Sequence, residues 1–352
     1  MNTENIQKPK TDTIGYLNVI RVVAILAVVI GHVIMPINVN YRFALTDHEF
    51  HFGVFFKSIF EWCVPLFVMI SGVIFLDTKK EITIEKLLKK YFLRIILALF
   101  VFGIPYAFIE ILYDAHYQFK ISQIGTAILN VVQGKLWSHM WYMYMIAGLY
   151  LILPLLKLFV SFCEKKMLEY LLIVLFIFVS IIPFTEILFS VKINFYLPLN
   201  SIYVFYFLLG YYIHNYNVSI NFKILFLILI LFLITVSLLP LNKNLIDMTD
   251  GGGITLINYN SPIVVICTYA IFCIFHQTNA SGRIFDVLSP MCFGIYLIHP
   301  LFTNFLYKVI KITPEKYPLA VVIVVVLIIT LILSVCFTYI ARKITILRKY
   351  IL

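Results

Sequence analysis

The first strongly apolar segment of the chain carries two ionisable residues, Arg21 and His32, with ten residues between them. A helix advances about 100° per residue, so both side chains point from one stripe and differ in height by about 16 Å. Asn18 lies one turn before Arg21 on the same stripe. An ionisable residue inside a membrane span is costly and indicates a functional site. The stripe is equally consistent with an arginine that snorkels to the interface and a histidine satisfied in the interior.

The second apolar segment places polar groups at similar depths. Glu61 falls near the depth of His32, where a carboxylate can fix the imidazole tautomer and raise its basicity. An interfacial charge is an equally good interpretation of Glu61. Ser71 falls near the depth of Arg21, and the adjoining Gly72 predicts a close helix approach. Pro65 interrupts the helix and frees a carbonyl.

Aromatic and imidazole side chains recur in two later segments. The fourth segment opens with His139, Trp141 and Tyr144, and the ninth contains His299 beside Pro300. Trp and Tyr at the end of a span are typical of the interfacial belt. A histidine in the middle of a membrane beside a helix bend is consistent with a site residue and with a satisfied core residue alike.

Carboxylates at predicted outer helix ends complete the set of polar candidates. Glu110 and Glu186 fall at such ends, where His139 also lies. Together with His32 and Glu61 they predict a cavity open to the outside. Each of them alone is better interpreted as a solvated end residue.

A basic patch follows the second segment. Such patches set topology and meet anionic lipid, and they also suit the phosphates of a nucleotide-bearing ligand. Its members are Lys79, Lys80, Lys86, Lys89, Lys90 and Arg94.

The composition determines what kind of elements position these residues. Of 352 residues, 62% are hydrophobic and only 12% are charged, and the mean hydropathy is +0.99. A soluble domain needs about twice that charge to cover its surface. The composition excludes a soluble enzyme, a disordered protein, a disulfide scaffold and a nucleic-acid binder. The net charge of +10 is therefore interpreted as a topology signal.

Hydropathy predicts an all-α polytopic membrane protein with about ten transmembrane helices. A further interfacial helix is predicted over 120–135. The predicted spans are about 14–36, 54–76, 90–113, 140–160, 167–189, 199–216, 222–240, 260–277, 286–310 and 317–341.

The chain is predicted to be a single domain, 1–352, with short tails at about 1–13 and 342–352. Lysine and arginine are in excess on the side of both tails, which predicts cytoplasmic termini in the cell membrane.

The turn at 250–253 is rich in glycine. The six cysteines lack the spacing of a metal site and are expected to be free thiols, so no metal is expected.

Five segments resemble, in order along the chain, the membrane-bound acyltransferase-3 family. The chain is most similar to stand-alone O-acetyltransferases that act on surface glycans. The segments that carry the resemblance are the stripe from Arg21 to His32, Val64–Phe67 with Ser71 and Gly72, Arg94, His139–Tyr144, and Tyr296–Pro300.

The resemblance implies transfer of an acyl group, most often acetyl from acetyl-CoA, to a hydroxyl of an envelope glycan or lipid-linked saccharide. It implies that His32 is the catalytic base and that Arg21 is essential. We expect Glu61 to orient His32, independently of the resemblance. The residues then expected to contact the acyl-CoA or the acceptor are Ser71, Arg94, His139, Trp141, Tyr144, Tyr296 and His299.

The physical properties of the residues fit this expectation. A basic inner face with Arg94 suits the nucleotide end of CoA, and Arg21 is placed to polarise the thioester carbonyl. His32 then takes the hydroxyl proton, or acts as a nucleophile and forms an acyl-imidazole. Two other classes stay open: a secondary transporter or polysaccharide exporter with an Arg/His/Glu pathway, and a membrane module without chemistry. The expected partners are acyl-CoA, a saccharide acceptor and membrane lipid, and no nucleic acid.

Overall fold

The computed structural model describes residues 15–116, 118–195, 197, 199–238, 246–247, 253–254 and 256–352. The predicted amino-terminal tail, 1–13, and most of the glycine-rich turn at 250–253 lie outside the described residues.

The described residues fold almost entirely into helices, which we number in chain order. Two residue pairs form a minimal antiparallel hairpin, β1 (Ile246–Asp247) and β2 (Gly253–Ile254). The helices are α1 (Gly15–Asn40), α2 (Asp47–Phe75), α3 (Ile84–Asp114), α4 (Ser122–Val132), α5 (Ser138–Phe162), α6 (Lys165–Phe189), α7 (Ile202–Asn215), α8 (Phe222–Leu238), α9 (Pro262–Thr278), α10 (Arg283–Val309), α11 (Leu319–Lys343) and α12 (Thr345–Tyr350).

The all-α polytopic character is confirmed, whereas the predicted count of ten membrane spans is not. A helix lies at each of the ten predicted positions, and seven of these helices are long and apolar enough to cross a membrane. The other three are α7 with 14 residues and α8 and α9 with 17 each. At 1.5 Å per residue the described parts of these helices extend over about 21–26 Å, compared with a hydrocarbon core of about 30 Å. Ten complete spans and cytoplasmic termini stay predictions.

The second helix is interrupted beside the candidate site. It consists of Asp47–Ile59 and Cys63–Phe75, joined by a turn that contains Glu61. Pro65 lies in the first turn of the second piece, where its missing N–H would have no intrahelical partner. The predicted interruption is present, and it comes immediately before the proline turn. Another irregularity, a π-helical stretch at Leu87–Phe92, lies just before Arg94 in α3.

The first helix is central to the bundle, which explains why its polar stripe faces other helices. It packs against α2, α9, α10 and α11. The second piece of α2 packs against α7, and the backbones are in direct contact. A side chain on Gly72 would collide with the Phe207 carbonyl, and one on Gly210 would collide with Met69. The close approach predicted from Gly72 is confirmed.

Replacing Gly72 by valine should destabilise the protein by about 3 kcal/mol, because the added atoms meet backbone that has no space to move into. The measurement is the midpoint of thermal unfolding of the purified protein in detergent. Gly148→Ala is the matched control, because a Cβ at this helical glycine meets no atom within 4 Å. The packing argument is wrong if both variants melt at the temperature of the wild type.

The segment after α11 folds back onto the bundle. Ile351 and Leu352 are buried, and Arg342 donates hydrogen bonds to the carbonyls of Pro290 at 2.7 Å and Leu352 at 3.1 Å. The predicted tail at 342–352 therefore packs against the beginning of α10. This packing brings the Ile351 carbonyl within reach of Arg94.

Candidate active site

Within the described residues, a large cavity of about 930 Å³ lies inside the bundle. Its wall is built by α1, α2, α3, α5, α6, α10 and the segment 257–259. Arg21 and Arg94 line it toward the end of the bundle where α1 begins, the Gly15 end, and Lys57 toward the opposite, Asn40 end. Of the residues predicted for the site, it brings together Arg21, His32, Glu61, Ser71, Arg94, His139, Trp141 and Tyr296.

A polar network positions Arg21 on the cavity wall. Its Nη1 donates to Asn18 Oδ1 at 3.2 Å and to Ser289 Oγ at 3.3 Å. Ser289 Oγ donates in turn to Asn18 Oδ1, and Asn18 Nδ2 donates to Asp286 Oδ1, each at 2.8 Å. Asp286 thus acts on Arg21 only through Asn18. The guanidinium keeps its positive charge available to a ligand instead of pairing directly with this carboxylate.

A main-chain contact sets the orientation of His32. Its Nδ1 lies 2.8 Å from the Val28 carbonyl, one turn back in α1. Because a carbonyl only accepts, Nδ1 carries the hydrogen, and Nε2 keeps the lone pair of a base or nucleophile. Glu61, which was predicted to orient this imidazole, is held at 3.0 Å by Lys57. Orientation of His32 by Glu61 stays a prediction, and the contact that the structure gives Nδ1 is Val28.

Two further histidines pack around His32. The His299 ring centroid is 5.0 Å away and the His139 ring centroid is 6.3 Å away, both with edge-to-face geometry. His139 lines the cavity, whereas His299 is fully buried outside the cavity lining. His299 Nδ1 lies 3.0 Å from the Ile295 carbonyl. A ligand contact of His299 stays a prediction, and in the structure its ring lies against the other two histidines.

Arg94 is the member of the basic patch that reaches the cavity. Its Nε donates to the Ile351 carbonyl at 3.0 Å, and its guanidinium lies 5.8 Å from the Phe293 ring centroid. The five lysines of the patch are outside the cavity lining. Lys80 pairs with Asp77 at 3.3 Å and Lys89 pairs with Glu85 at 2.7 Å. Contact with phosphate stays a prediction, and Arg94 is the residue of the patch that is placed on the cavity wall.

Three other predicted residues line the wall in different ways. Ser71 Oγ donates to the Phe67 carbonyl at 2.9 Å. Tyr296 donates to the His139 carbonyl and so fixes the turn that carries this histidine. Trp141 stacks on Tyr259, with ring centroids 5.7 Å apart and planes 29° from parallel. The cavity therefore has an aromatic surface near the interruption in α2.

Three predicted residues belong to other parts of the structure. Tyr144 donates to the Val131 carbonyl of α4 and is outside the cavity lining. Glu110 accepts from Trp137 Nε1 at 2.9 Å, and Glu186 accepts from the Ile193 amide at 2.8 Å. Neither carboxylate lines the cavity. Tyr144 thus forms a contact between α5 and α4.

The sequence reasoning missed several residues of the wall. Ser289 and Phe293 lie in the first half of α10, and Tyr142 lies inside the aromatic motif of α5. Lys57 had a sequence signal that was overlooked, since it precedes Glu61 by four positions on a helix. Tyr259 had no such signal, because it comes from a loop that only folding brings to the cavity.

Within the described residues, no group of three His, Cys, Asp or Glu side chains is arranged to hold a metal ion. A family model described as an acyltransferase domain matches residues 14–339. The chain belongs to the acyltransferase-3 family. It is accordingly a membrane acyltransferase with several apolar helices. No curated protein and no solved structure matches it.

Proposed function

We propose that this acyltransferase is an O-acyltransferase of the cell membrane that moves an acetyl group from cytoplasmic acetyl-CoA to a hydroxyl of an envelope glycan. The observation that carries the proposal is the continuous cavity. Arg94 and Arg21 lie on its wall toward the Gly15 end, and His32 and the Lys57–Glu61 pair lie toward the Asn40 end. Such a passage lets a donor enter from one side of a membrane and an acceptor from the other.

The half of the cavity near the Gly15 end suits the donor. The Nε of Arg94 is engaged with the Ile351 carbonyl, and the two terminal nitrogens offer the fork that binds phosphate oxygens. The neighbouring wall is largely apolar and aromatic, with Tyr91, Tyr150 and Phe293. A slim pantetheine arm fits such a passage, and its thioester would then lie between Arg21 and His32.

The chemistry at the thioester follows from the two side chains. As the acceptor oxygen adds to the acyl carbon, negative charge develops on the carbonyl oxygen, where the Arg21 guanidinium stabilises it. His32 Nε2 takes the hydroxyl proton, and the carbon–sulfur bond breaks to release the CoA thiolate. The hydrogen bond from Nδ1 to Val28 holds the imidazole in this tautomer and stabilises the imidazolium that forms.

The half near the Asn40 end suits a polyhydroxylated acceptor. Lys57 and Glu61 present a donor and an acceptor group on the wall, and the rings of Trp141 and Tyr259 lie on the same wall. Aromatic faces suit the apolar face of a sugar ring, and the charged pair suits its hydroxyls. This half therefore favours a saccharide over a simple lipid alcohol.

Arg94→Gln should raise the KM for acetyl-CoA about 10- to 100-fold, because a charge-assisted contact to phosphate contributes about 1.5–3 kcal/mol. The kcat should change little, since the expected contact is remote from the reacting carbon. Initial rates at varied acetyl-CoA in membrane vesicles give both constants. Lys86→Gln is the control from the same basic patch, because Lys86 is outside the cavity lining. An unchanged KM for Arg94→Gln would remove this residue from the donor site.

The proposed function is tested with purified protein in nanodiscs that receives acetyl-CoA and a crude envelope glycan fraction. We expect release of free CoA thiol and alkali-labile acetyl groups on the glycan in equal amounts. The same protein in proteoliposomes is given labelled oligosaccharide without acyl donor. Flux of the sugar in the proteoliposomes, together with no release of CoA in the nanodisc assay, would establish a transporter in place of the enzyme.

A further inference from the structure

The proposed reaction uses one histidine, yet three histidines from three helices meet at this point. His32, His139 and His299 come from α1, α5 and α10, and the centroids of His139 and His299 are 5.8 Å apart. Every pair in this histidine cluster is thus within 6.3 Å between centroids. Their roles beyond packing can be derived from their hydrogen bonds.

Main-chain carbonyls engage one side of the rings. His32 contacts the Val28 carbonyl and His299 the Ile295 carbonyl, in each case through Nδ1. The His139 ring also has a main-chain hydrogen-bond partner, the Leu297 carbonyl. Carbonyls accept hydrogen bonds, so each neutral imidazole donates its one N–H to the backbone. The remaining nitrogen of each ring is an acceptor.

Two of these acceptor nitrogens have no hydrogen-bond donor in the structure. His139 Nε2 and His299 Nε2 are buried and make no hydrogen bond. Two tyrosine hydroxyls beside the cluster are used elsewhere: Tyr106 donates to the Leu297 carbonyl at 2.5 Å, and Tyr296 donates to the His139 carbonyl. A buried acceptor without a donor is unfavourable, because it has lost its hydrogen bonds to water and gained none in the protein. Two such nitrogens lie beside a predicted catalytic base. An additional proton in the cluster would give them the hydrogen-bond donor that they lack.

We propose that His32, His139 and His299 form a proton-sharing cluster that holds the acceptor proton during acyl transfer. The inference rests on the proposed function. The O–H bond of the acceptor breaks as its oxygen bonds to the acyl carbon, and the C–S bond breaks. The proton stays on the three imidazoles, directly or through one bridging water, until the departing thiolate takes it up. His139 and His299 are positioning residues that act through His32.

The surroundings of the cluster favour one shared proton over several. Tyr106 and Tyr296 face it from α3 and α10, and Lys57 and Glu61 neutralise each other on α2. A second positive charge among rings this close would be repelled by the first. The protonated nitrogen would become the donor that the other nitrogens lack, so the charge is stabilised by all three rings.

The direct test does not depend on activity. Solid-state NMR of protein labelled with ¹⁵N-histidine, in nanodiscs without substrate, follows the ring nitrogens as the pH is lowered. Single substitutions assign the signals among the eight histidines of the chain. We expect the Nε2 signals of all three cluster residues to shift together with one midpoint. Separate midpoints, or no protonation down to pH 5, would overturn the proposal.

Kinetics supply the second test. His299→Gln should lower kcat about 10- to 100-fold and leave both KM values within a factor of two, because it removes one proton acceptor and no cavity-lining residue. In H₂O/D₂O mixtures the wild-type rate should curve with deuterium fraction, and the variant rate should fall in a straight line. A merely structural role would leave the shape of this plot unchanged, and that outcome would overturn the proposal.

The control for these kinetics is His276→Gln. His276 also has a buried unpartnered nitrogen and packs edge-to-face on Tyr16, but it is outside the cavity lining. Its replacement should change neither kcat nor the shape of the isotope plot. If wild-type protein transfers no acyl group, the proposed function fails, and the NMR titration still decides whether the cluster shares a proton.

Discussion

Replacement of His32 by glutamine should lower acyl transfer by about 10³-fold or more. The variant keeps a polar side chain of similar size, but it has no basic nitrogen to take the hydroxyl proton. Its effect should appear in kcat, because the base acts only as the proton moves and contributes little to ground-state binding. The measurement is the rate of alkali-labile acetyl transfer by equal amounts of purified variant and wild type in nanodiscs.

The control for this substitution is His48→Gln. His48 is exposed on α2 and is outside the cavity lining, so its replacement should leave the rate within a factor of two. Thermal unfolding of both variants separates loss of chemistry from loss of structure. A His32→Gln protein that melts normally and retains more than a tenth of the wild-type kcat would refute the role of His32.

Arg21→Gln should lower kcat about 10²- to 10³-fold, the usual loss when one group that stabilises a developing oxyanion is removed. Glutamine can still hydrogen-bond to Asn18 and Ser289, so the local network is largely preserved while the charge is lost. The kcat of Arg21→Lys should lie between those of the wild type and Arg21→Gln, because an ammonium keeps the charge without the planar fork of the guanidinium. Rates at saturating acetyl-CoA measure the effect.

Arg283→Gln is the matched control for charge. Arg283 is exposed at the start of α10, at the same end of the bundle, and is outside the cavity lining. The Arg283→Gln substitution should leave kcat unchanged. An Arg21→Gln enzyme that loses affinity for acetyl-CoA but keeps kcat would assign Arg21 to donor binding and not to the transition state.

The part of the site that follows helical periodicity could be predicted from the sequence. Arg21 and His32 share a face of α1, and both line the cavity. Their spacing fixes that geometry within one element, whatever surrounds it. The helix positions were predictable for the same reason, since apolar runs of about 20 residues are a local signal.

The contacts between elements could not be predicted in the same way. The meeting of His139 with His299 depends on how α5 packs against α10, and no spacing along the chain encodes it. Tyr144 is a second example, because this residue of the aromatic motif donates to the Val131 carbonyl of α4, a contact that its position in the motif does not indicate. Orientation of His32 by Glu61 stays a prediction, and the ion pair that Glu61 forms with Lys57 was not predicted from the sequence.

The central claim is transfer of an ester-linked acyl group to an envelope glycan, and mass spectrometry of that glycan tests it most directly. Glycan from cells with the wild-type protein, a deletion and His32→Ala is compared before and after mild base, with membrane abundance of the variant checked. We predict an alkali-labile acetyl mass in the wild type that both mutants lack. Unchanged acylation together with altered amount or location of the glycan would contradict the claim and establish a transporter.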